Sequence, residues 1–323
     1  VFASYRASDP NVKLTKLCSD LFAQQRLAWP HMAEGYASLE YVRDREIICN
    51  GFSVHVQFNP KRIVSTGANV DPVVISKRAC FLCPENLPTE QQGVLYRDEY
   101  LILCNPVPIF PGHLTISSTH HIPQNFESSV DAMFDLARDL SPDYSVFYNG
   151  PRCGASAPDH LHFQASPRRA IPVEVDAVDV RRRKRFYYKN HVAGFTLMKY
   201  GRAVVMLESS ESTHLLAFLH TMVFQWKELL HSSEEPMMNV ICSYQQNIWR
   251  LIIFPRRKHR PELYFKEGSD RVLISPAAVD IGGIIITPLE KDFLRVDATA
   301  IETIFNEVSE NQEMIDTLLE KLV

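Results

Sequence analysis

The 323-residue chain contains no apolar run approaching the length of a membrane span, no signal-peptide pattern in its opening Val-Phe-Ala-Ser-Tyr-Arg, and no low-complexity segment. It also lacks a strong charge of either sign: at a net charge of -4 there is no basic excess to draw nucleic acid as a bulk partner. Nor is there a disulfide framework. The seven cysteines (18, 49, 80, 83, 104, 153 and 242) are odd in number and irregularly spaced, which argues for a reducing, cytoplasmic setting and for metal or structural roles. What remains is an ordinary globular composition, 46% apolar and 22% charged, in a chain long enough for one large or two ordinary domains.

Read in order, residues 12–28 have helical apolar spacing. Residues 46–58 read as a hairpin turning on Asn50-Gly51, and residues 59–62 end it before a polar loop that runs to Cys80 and Cys83. Strands are expected at 101–105 and 113–117, separated by an extended connection held by Pro106, Pro108 and Pro111. An amphipathic helix over 124–140 follows, then a strand at 144–149. The basic run 181–185 reads as a solvated loop. Beyond it come a helix at 213–230, paired strands at 239–244 and 248–254, a basic turn at 255–260, a strand at 281–286 containing Gly282-Gly283, and closing helices at 296–308 and 313–322. This grammar suits an α+β layer with helices on an antiparallel sheet. The loose repetition of elements predicts two similar units, residues 1–175 and 176–323, with the break near 170–200.

The chemistry concentrates at His160-Leu161-His162-Phe163-Gln164. As a strand, this run puts both imidazoles and the carboxamide on one face while Leu161, Phe163 and Ala165 anchor the other. The bland alternative is a half-buried strand that happens to carry two histidines. The loop before it, 149–159, brings Gly154, Ala155 and Ser156 close in sequence, where backbone N–H groups and the Ser156 hydroxyl suit an anion. A neutral His162 nitrogen is a good nucleophile toward phosphorus, because it needs no deprotonation. Gln164 lacks acid–base function, so it would steady a nucleotidyl-histidine without helping water attack it. Arg152, Arg168, Arg169, Lys77 and Arg78 are candidate phosphate partners, each against the alternative of a solvated surface charge. Asn105 either holds a ribose hydroxyl or caps its strand end, and His113 and His55 read as packed or surface histidines.

Cys80-Phe81-Leu82-Cys83 is the second constellation. Two thiols at this spacing commonly form one edge of a tetrahedral zinc site. His160 together with His120 or His121 would complete a Cys2His2 set, and His121, nearer the Ile122-Pro123 turn, is preferred. Four protein ligands would make the zinc structural. The alternative is a pair of buried reduced cysteines.

Taken together, Asn149-Gly150, Gly154-Ala155-Ser156 and His160-Leu-His162-Phe-Gln164 resemble the signature of the histidine-triad superfamily, in the branch that holds the galactose-1-phosphate uridylyltransferases, the diadenosine tetraphosphate phosphorylases and the GDP-hexose phosphorylases. The order Cys80, Cys83, Asn105, His113, His121 is similar to the uridylyltransferase zinc half, and the resemblance runs over residues 77–165. It implies two histidine-triad-like halves, each an antiparallel sheet with packed helices, of which only the first carries the motif. It further implies His162 as nucleophile, Gln164 holding the intermediate, Ser156 at the leaving phosphate, and Asn149 with the loop at the nucleotide. Cys80, Cys83, His121 and His160 match the zinc ligands. Leu161 stands where uridylyltransferases have proline, and His-Leu-His is closer to the GDP-hexose phosphorylases. The expected substrate is a nucleotide sugar or dinucleoside polyphosphate, with phosphate or a sugar 1-phosphate as acceptor, and a homodimer follows by family analogy. A non-catalytic nucleotide-binding module and a nucleotide hydrolase are the alternatives.

Overall fold

The computed structural model describes residues 1–9 and 12–323. Its strands are β1 (Ala3–Tyr5), β2 (Arg43–Ile48), β3 (Ser53–Phe58), β4 (Gly93–Tyr96), β5 (Tyr100–Cys104), β6 (Leu114–Ser118), β7 (Tyr144–Asn149), β8 (His162–Pro167), β9 (Arg183–Lys189), β10 (Val192–Leu197), β11 (Val205–Ser209), β12 (Met238–Gln245), β13 (Ile248–Pro255) and β14 (Ile284–Thr287). Eleven of them form one sheet in the order β1-β4-β5-β6-β8-β7-β12-β13-β11-β10-β9, antiparallel except where β1 meets β4. The chain is α+β, as expected. The strands before and after residue 175 are hydrogen-bonded into this one sheet through β7 and β12, where Asn149 opposes Asn239.

Period-2 alternation gives the sheet two buried faces. Val146 and Tyr148 of β7, Val240 and Cys242 of β12, and Leu251 and Ile253 of β13 enter one core. Phe147, Ile241, Ile252 and Phe254 of the same strands enter the other. The first core is covered by the helices Leu14–Ala28, Val130–Asp139, Ser212–Leu230 and Gln312–Glu320. Helix Ser212–Leu230 shows why: Leu215, Phe218, Leu219, Met222, Val223 and Trp226 recur every three or four residues and are all buried. Truncating the fully buried Trp226 to alanine would cost about 3–5 kcal/mol. The second core lies under the small sheet β14-β3-β2 and helix Ala298–Val308. Here β14, from late in the chain, pairs in parallel with β3, from early in it.

The hairpin forms as read: the Cys49 amide donates to Phe52 O at 2.9 Å, closing the turn over Gly51, whose φ is +90°. Several boundaries differ. The helix expected from residue 124 begins at Val130, because Gln124 and Phe126 are drawn into hydrogen bonds elsewhere in the fold. The short helices Ile63–Thr66 and Pro72–Ile75 occupy part of the expected polar loop. The double glycine precedes β14 rather than lying within it. The basic run is not a loop: Arg183 begins β9, the outer edge of the large sheet. Its guanidinium pairs with Glu208 at 2.8 Å and lies over Phe195. Charge along an edge strand blocks further strand addition. No helix among the described residues is long and apolar enough to cross a membrane.

Candidate active site and metal cluster

The motif strand begins at His162, and His160 sits in the preceding turn. Leu161, Phe163 and Ala165 anchor the helix-covered core. His162 and Gln164 therefore point to the opposite face, where Gln164 is directly opposed by Phe147 of β7. His162 is 3% exposed, and burial pushes its imidazole down to about 4, so it is neutral at physiological pH. Its Nδ1 lies 2.8 Å from the His160 carbonyl. A carbonyl can only accept, so Nδ1 carries the proton and the lone pair is on Nε2. The strand backbone is held at the same residue: the His162 amide donates to Gln124 Oε1 at 2.8 Å, and Gln124 Nε2 donates to the carbonyls of His162 (3.0 Å) and Asn149 (2.9 Å).

Gln164 is oriented by a histidine that the sequence reads as a packed or surface one. His113 is fully buried, and its Nδ1 accepts the Ile109 amide at 3.3 Å. Nε2 must then carry the proton and donate to Gln164 Oε1 at 2.9 Å. With its oxygen engaged, Gln164 has its NH2 end left over. Burial, with the nearby Arg62 charge adding to it, pushes His113 down to about 3, so this donor arrangement holds across the physiological range.

The loop between β7 and β8 is built against a distant part of the chain. Gly154 has a φ of +92°, and a Cβ there would sit 2.5 Å from that of Ala277, so both backbone conformation and space require glycine. Asn149 is buried, and its Oδ1 accepts from Asn239 Nδ2 (2.9 Å) and the Ala278 amide (2.8 Å). Asn239 Nδ2 also donates to Cys153 O at 2.7 Å. Ala155 is buried, while Ser156 is half-buried and its carbonyl accepts from Arg78 Nη2 at 3.3 Å. Arg78 also pairs with Asp159 at 3.0 Å. Arg152 is on the surface with Glu234 at 2.9 Å. Asn105 donates to Thr115 Oγ1 (3.1 Å) and accepts from the Val107 amide (3.0 Å), so its side chain closes the strand end. Arg168 and Arg169 lie beside Tyr144, at the end of β7 away from the loop.

Cys80, Cys83, His121 and His160 converge, with their potential ligand atoms all within 4.8 Å of one another. Cys80 Sγ is 3.4 Å from His160 Nδ1, Cys83 Sγ is 3.2 Å from His121 Nδ1, and the two Nδ1 atoms are 3.3 Å apart. Sulfur and nitrogen ligands at tetrahedral angles around zinc lie roughly 3.5 Å apart, so the donor set and its spacing fit that metal. His160 Nε2 is 2.9 Å from Ser118 O and so carries the proton, which turns the Nδ1 lone pair toward the cluster. His120 is not part of the set. Asn86 Nδ2 braces the Cys-x-x-Cys turn at Cys80 O (2.9 Å). Cys80, Cys83 and His121 of the cluster line an open cavity of about 630 Å³, shared with Val70, Ile75, Arg78, Arg152 and Asp159.

Two family descriptions and a fold match bear on this geometry. Residues 21–167 match a domain of unknown function, DUF4922, and residues 178–322 match the GDPGP1-like, C-terminal domain. The crystal structure of yeast Ap4A phosphorylase Apa2 superposes with a TM-score of 0.54 at 15% identity, over 87% of this chain and 93% of that one. The C-terminal family description and this superposition are consistent with the branch read from the motif. The same yeast enzyme in complex with Ap4A superposes with a TM-score of 0.51 at 15% identity, over 87% of this chain and 97% of that one. No curated protein sequence is a significant match. At this identity the likeness shows a shared fold, and the chemistry rests on the residues themselves. Of those residues, Gln124 and Asn239 had no local signal in the sequence, and His113 had only its place in an apparent strand.

Proposed function

We propose that the protein is a nucleotidyl phosphorylase or transferase that works through a covalent nucleotidyl-His162. The observation that carries this reading is a neutral imidazole with Nδ1–H tied to a carbonyl, beside a carboxamide whose oxygen is already engaged. Attack by Nε2 on the α-phosphorus forms an N–P bond and breaks the bond to the bridging oxygen, which leaves with its electron pair. Ap4A would release ATP, and a GDP-hexose would release the hexose 1-phosphate. An oxygen of inorganic phosphate then attacks the same phosphorus, the N–P pair returns to Nε2, and ADP or GDP departs. A phosphate oxyanion needs no general base, so Gln164 suffices where a hydrolase would want an acid–base group.

Gln164 NH2, the Ser156 hydroxyl and the backbone N–H groups of Gly154 and Ala155 are the donors for the phosphoryl oxygens, with Arg78 and Arg152 at the loop's flank. Asn149 acts by holding the loop, and Asn105 by shaping the connection to His113. Zinc held by Cys80, Cys83, His121 and His160 would be structural, tying the Cys-x-x-Cys turn to the residue two before the nucleophile. The fold likeness to an Ap4A phosphorylase supports the reaction class. The GDPGP1-like C-terminal match, together with Leu161, favours a GDP-hexose donor. The test is product release from Ap4A and from GDP-hexoses with and without inorganic phosphate. Phosphate-dependent formation of ADP or GDP is expected. Equal release without phosphate would make the protein a hydrolase, and no release from any donor would remove the enzymatic reading.

A further inference from the structure

The residues that hold His162 in place do not stop at the motif; they continue across the sheet into the C-terminal part of the chain. Gln124 binds the His162 backbone on both its amide and its carbonyl, and also binds Asn149 O at 2.9 Å. Asn149 is register-opposed to Asn239 across the β7–β12 pair, and their side chains meet at 2.9 Å. Asn239 is fully buried; its Nδ2 also reaches Cys153 O at 2.7 Å, inside the 150–159 loop, and its Oδ1 accepts from Arg256 Nη1.

Arg256 is 2% exposed, and each of its five N–H donors has an acceptor. Nε donates to Val308 O (3.1 Å), Nη1 to Asn239 Oδ1 and to Pro276 O (2.9 Å), and Nη2 to Lys258 O and His259 O (both 3.1 Å). None of these is a carboxylate, and among the described residues no ion pair includes it. Asp280 acts on its charge from a distance, but no carboxylate accepts from it directly; a buried guanidinium so placed is expensive, and an apolar side chain would fill the same volume without that cost. What arginine alone supplies is a rigid fork with enough donors to bind four carbonyls on three separate stretches of chain and the Asn239 carboxamide at once. One of those stretches ends at Pro276, next to Ala277, which packs on Gly154, and Ala278, which donates to Asn149.

We propose that Arg256 and Asn239 are positioning residues for the reaction: through Asn149 and Gln124 they hold the His162 backbone and the 150–159 loop in one arrangement. A buried network with its donors and acceptors matched has few alternative geometries, so the nucleophile and the phosphate-facing loop are held by the same set of bonds. This rests on the reading of His162 as nucleophile. Neither Arg256 nor Asn239 touches the reacting atoms.

The test uses the full-length chain with Asn239→Ala and, as a variant that keeps the buried charge, Arg256→Lys. Amide hydrogen exchange is followed in segment 159–164, which reports the His162 N–H to Gln124 bond, and in β5 as an internal standard. We expect exchange in 159–164 to quicken about tenfold in either variant while β5 is unchanged. With Ap4A and inorganic phosphate as probe, kcat should fall about tenfold with KM within about threefold, the pattern of lost positioning. Unchanged exchange at 159–164 overturns the proposal, as does equal quickening at 159–164 and β5, which is a merely structural effect. A local exchange response in a protein with no Ap4A or GDP-hexose turnover would leave the bond network standing and remove the catalytic reading instead.

Discussion

His113 donates from Nε2 to Gln164 Oε1 across 2.9 Å, and because Nδ1 already accepts the Ile109 amide, the direction of that bond has only one solution. A carboxamide can otherwise turn end for end. Fixing its oxygen fixes which group it shows the substrate. Gln164→Ala should therefore lower nucleotidyl transfer by about 10²-fold, the usual loss for one preorganised donor. His113→Phe, which leaves Gln164 in place but unoriented, should lower it by about tenfold. Steady-state kinetics with saturating phosphate checks both, and full activity in His113→Phe would show that the orientation is irrelevant.

Acid stability carries the same histidine. Its folded value, about 3, lies below the ordinary range near 6.5, so it contributes stability that is present above about pH 6.5 and lost as pH falls toward 3. Buried His259, pushed down to about 4, has the same sign. Buried Asp280, pushed up to about 6, has the opposite sign: its contribution is present below roughly pH 4 and lost as pH rises through 6. His113→Phe should flatten the acid loss, and Asp280→Asn should steepen it between about pH 4 and 6. Urea denaturation across this range checks the slopes.

The metal cluster predicts about one zinc per chain in protein purified without chelator. Cys83→Ser should lose that metal and lower the melting temperature, and chelation of the wild type should do the same. Metal analysis finding well under one zinc, with an unchanged melting temperature in Cys83→Ser, would leave Cys80 and Cys83 as two buried thiols.

Gly154→Ala places a Cβ against Ala277 at a positive φ. We expect a loss of about 1–3 kcal/mol in chemical denaturation, together with weaker phosphate binding, because the loop must shift. Wild-type stability in this variant would mean that the loop is not pressed against residue 277.

Much of the site was legible because it is local. Alternation alone places Phe163 and Ala165 in a core and His162 and Gln164 on the other face, whereas the Cys80-x-x-Cys83 spacing leaves His120 and His121 nearly equal, and it is the fold that brings His121 to the cluster. The outer strands β9, β10 and β11 were not legible, since the edge strand opens on a run of arginines and lysine that reads as solvated chain. The start of helix Val130–Asp139 was hidden because Gln124 is taken by His162, 38 residues away. Asn239 and Arg256 carry no motif at all: they are brought to the loop by strand register, with Asn239 and Asn149 separated by 90 residues. Side chains that act on backbone across such separations leave no pattern within a sequence window.

The proposed chemistry turns on the bond formed at His162 Nε2. The most direct measurement is mass analysis of the protein quenched in acid-free denaturant after brief exposure to Ap4A or a GDP-hexose without phosphate, followed by peptide mapping. One nucleoside monophosphate is expected on His162, discharged by added phosphate and absent in His162→Ala. A wild-type protein that turns over donor with no adduct on His162, or an adduct that persists in His162→Ala, would contradict it.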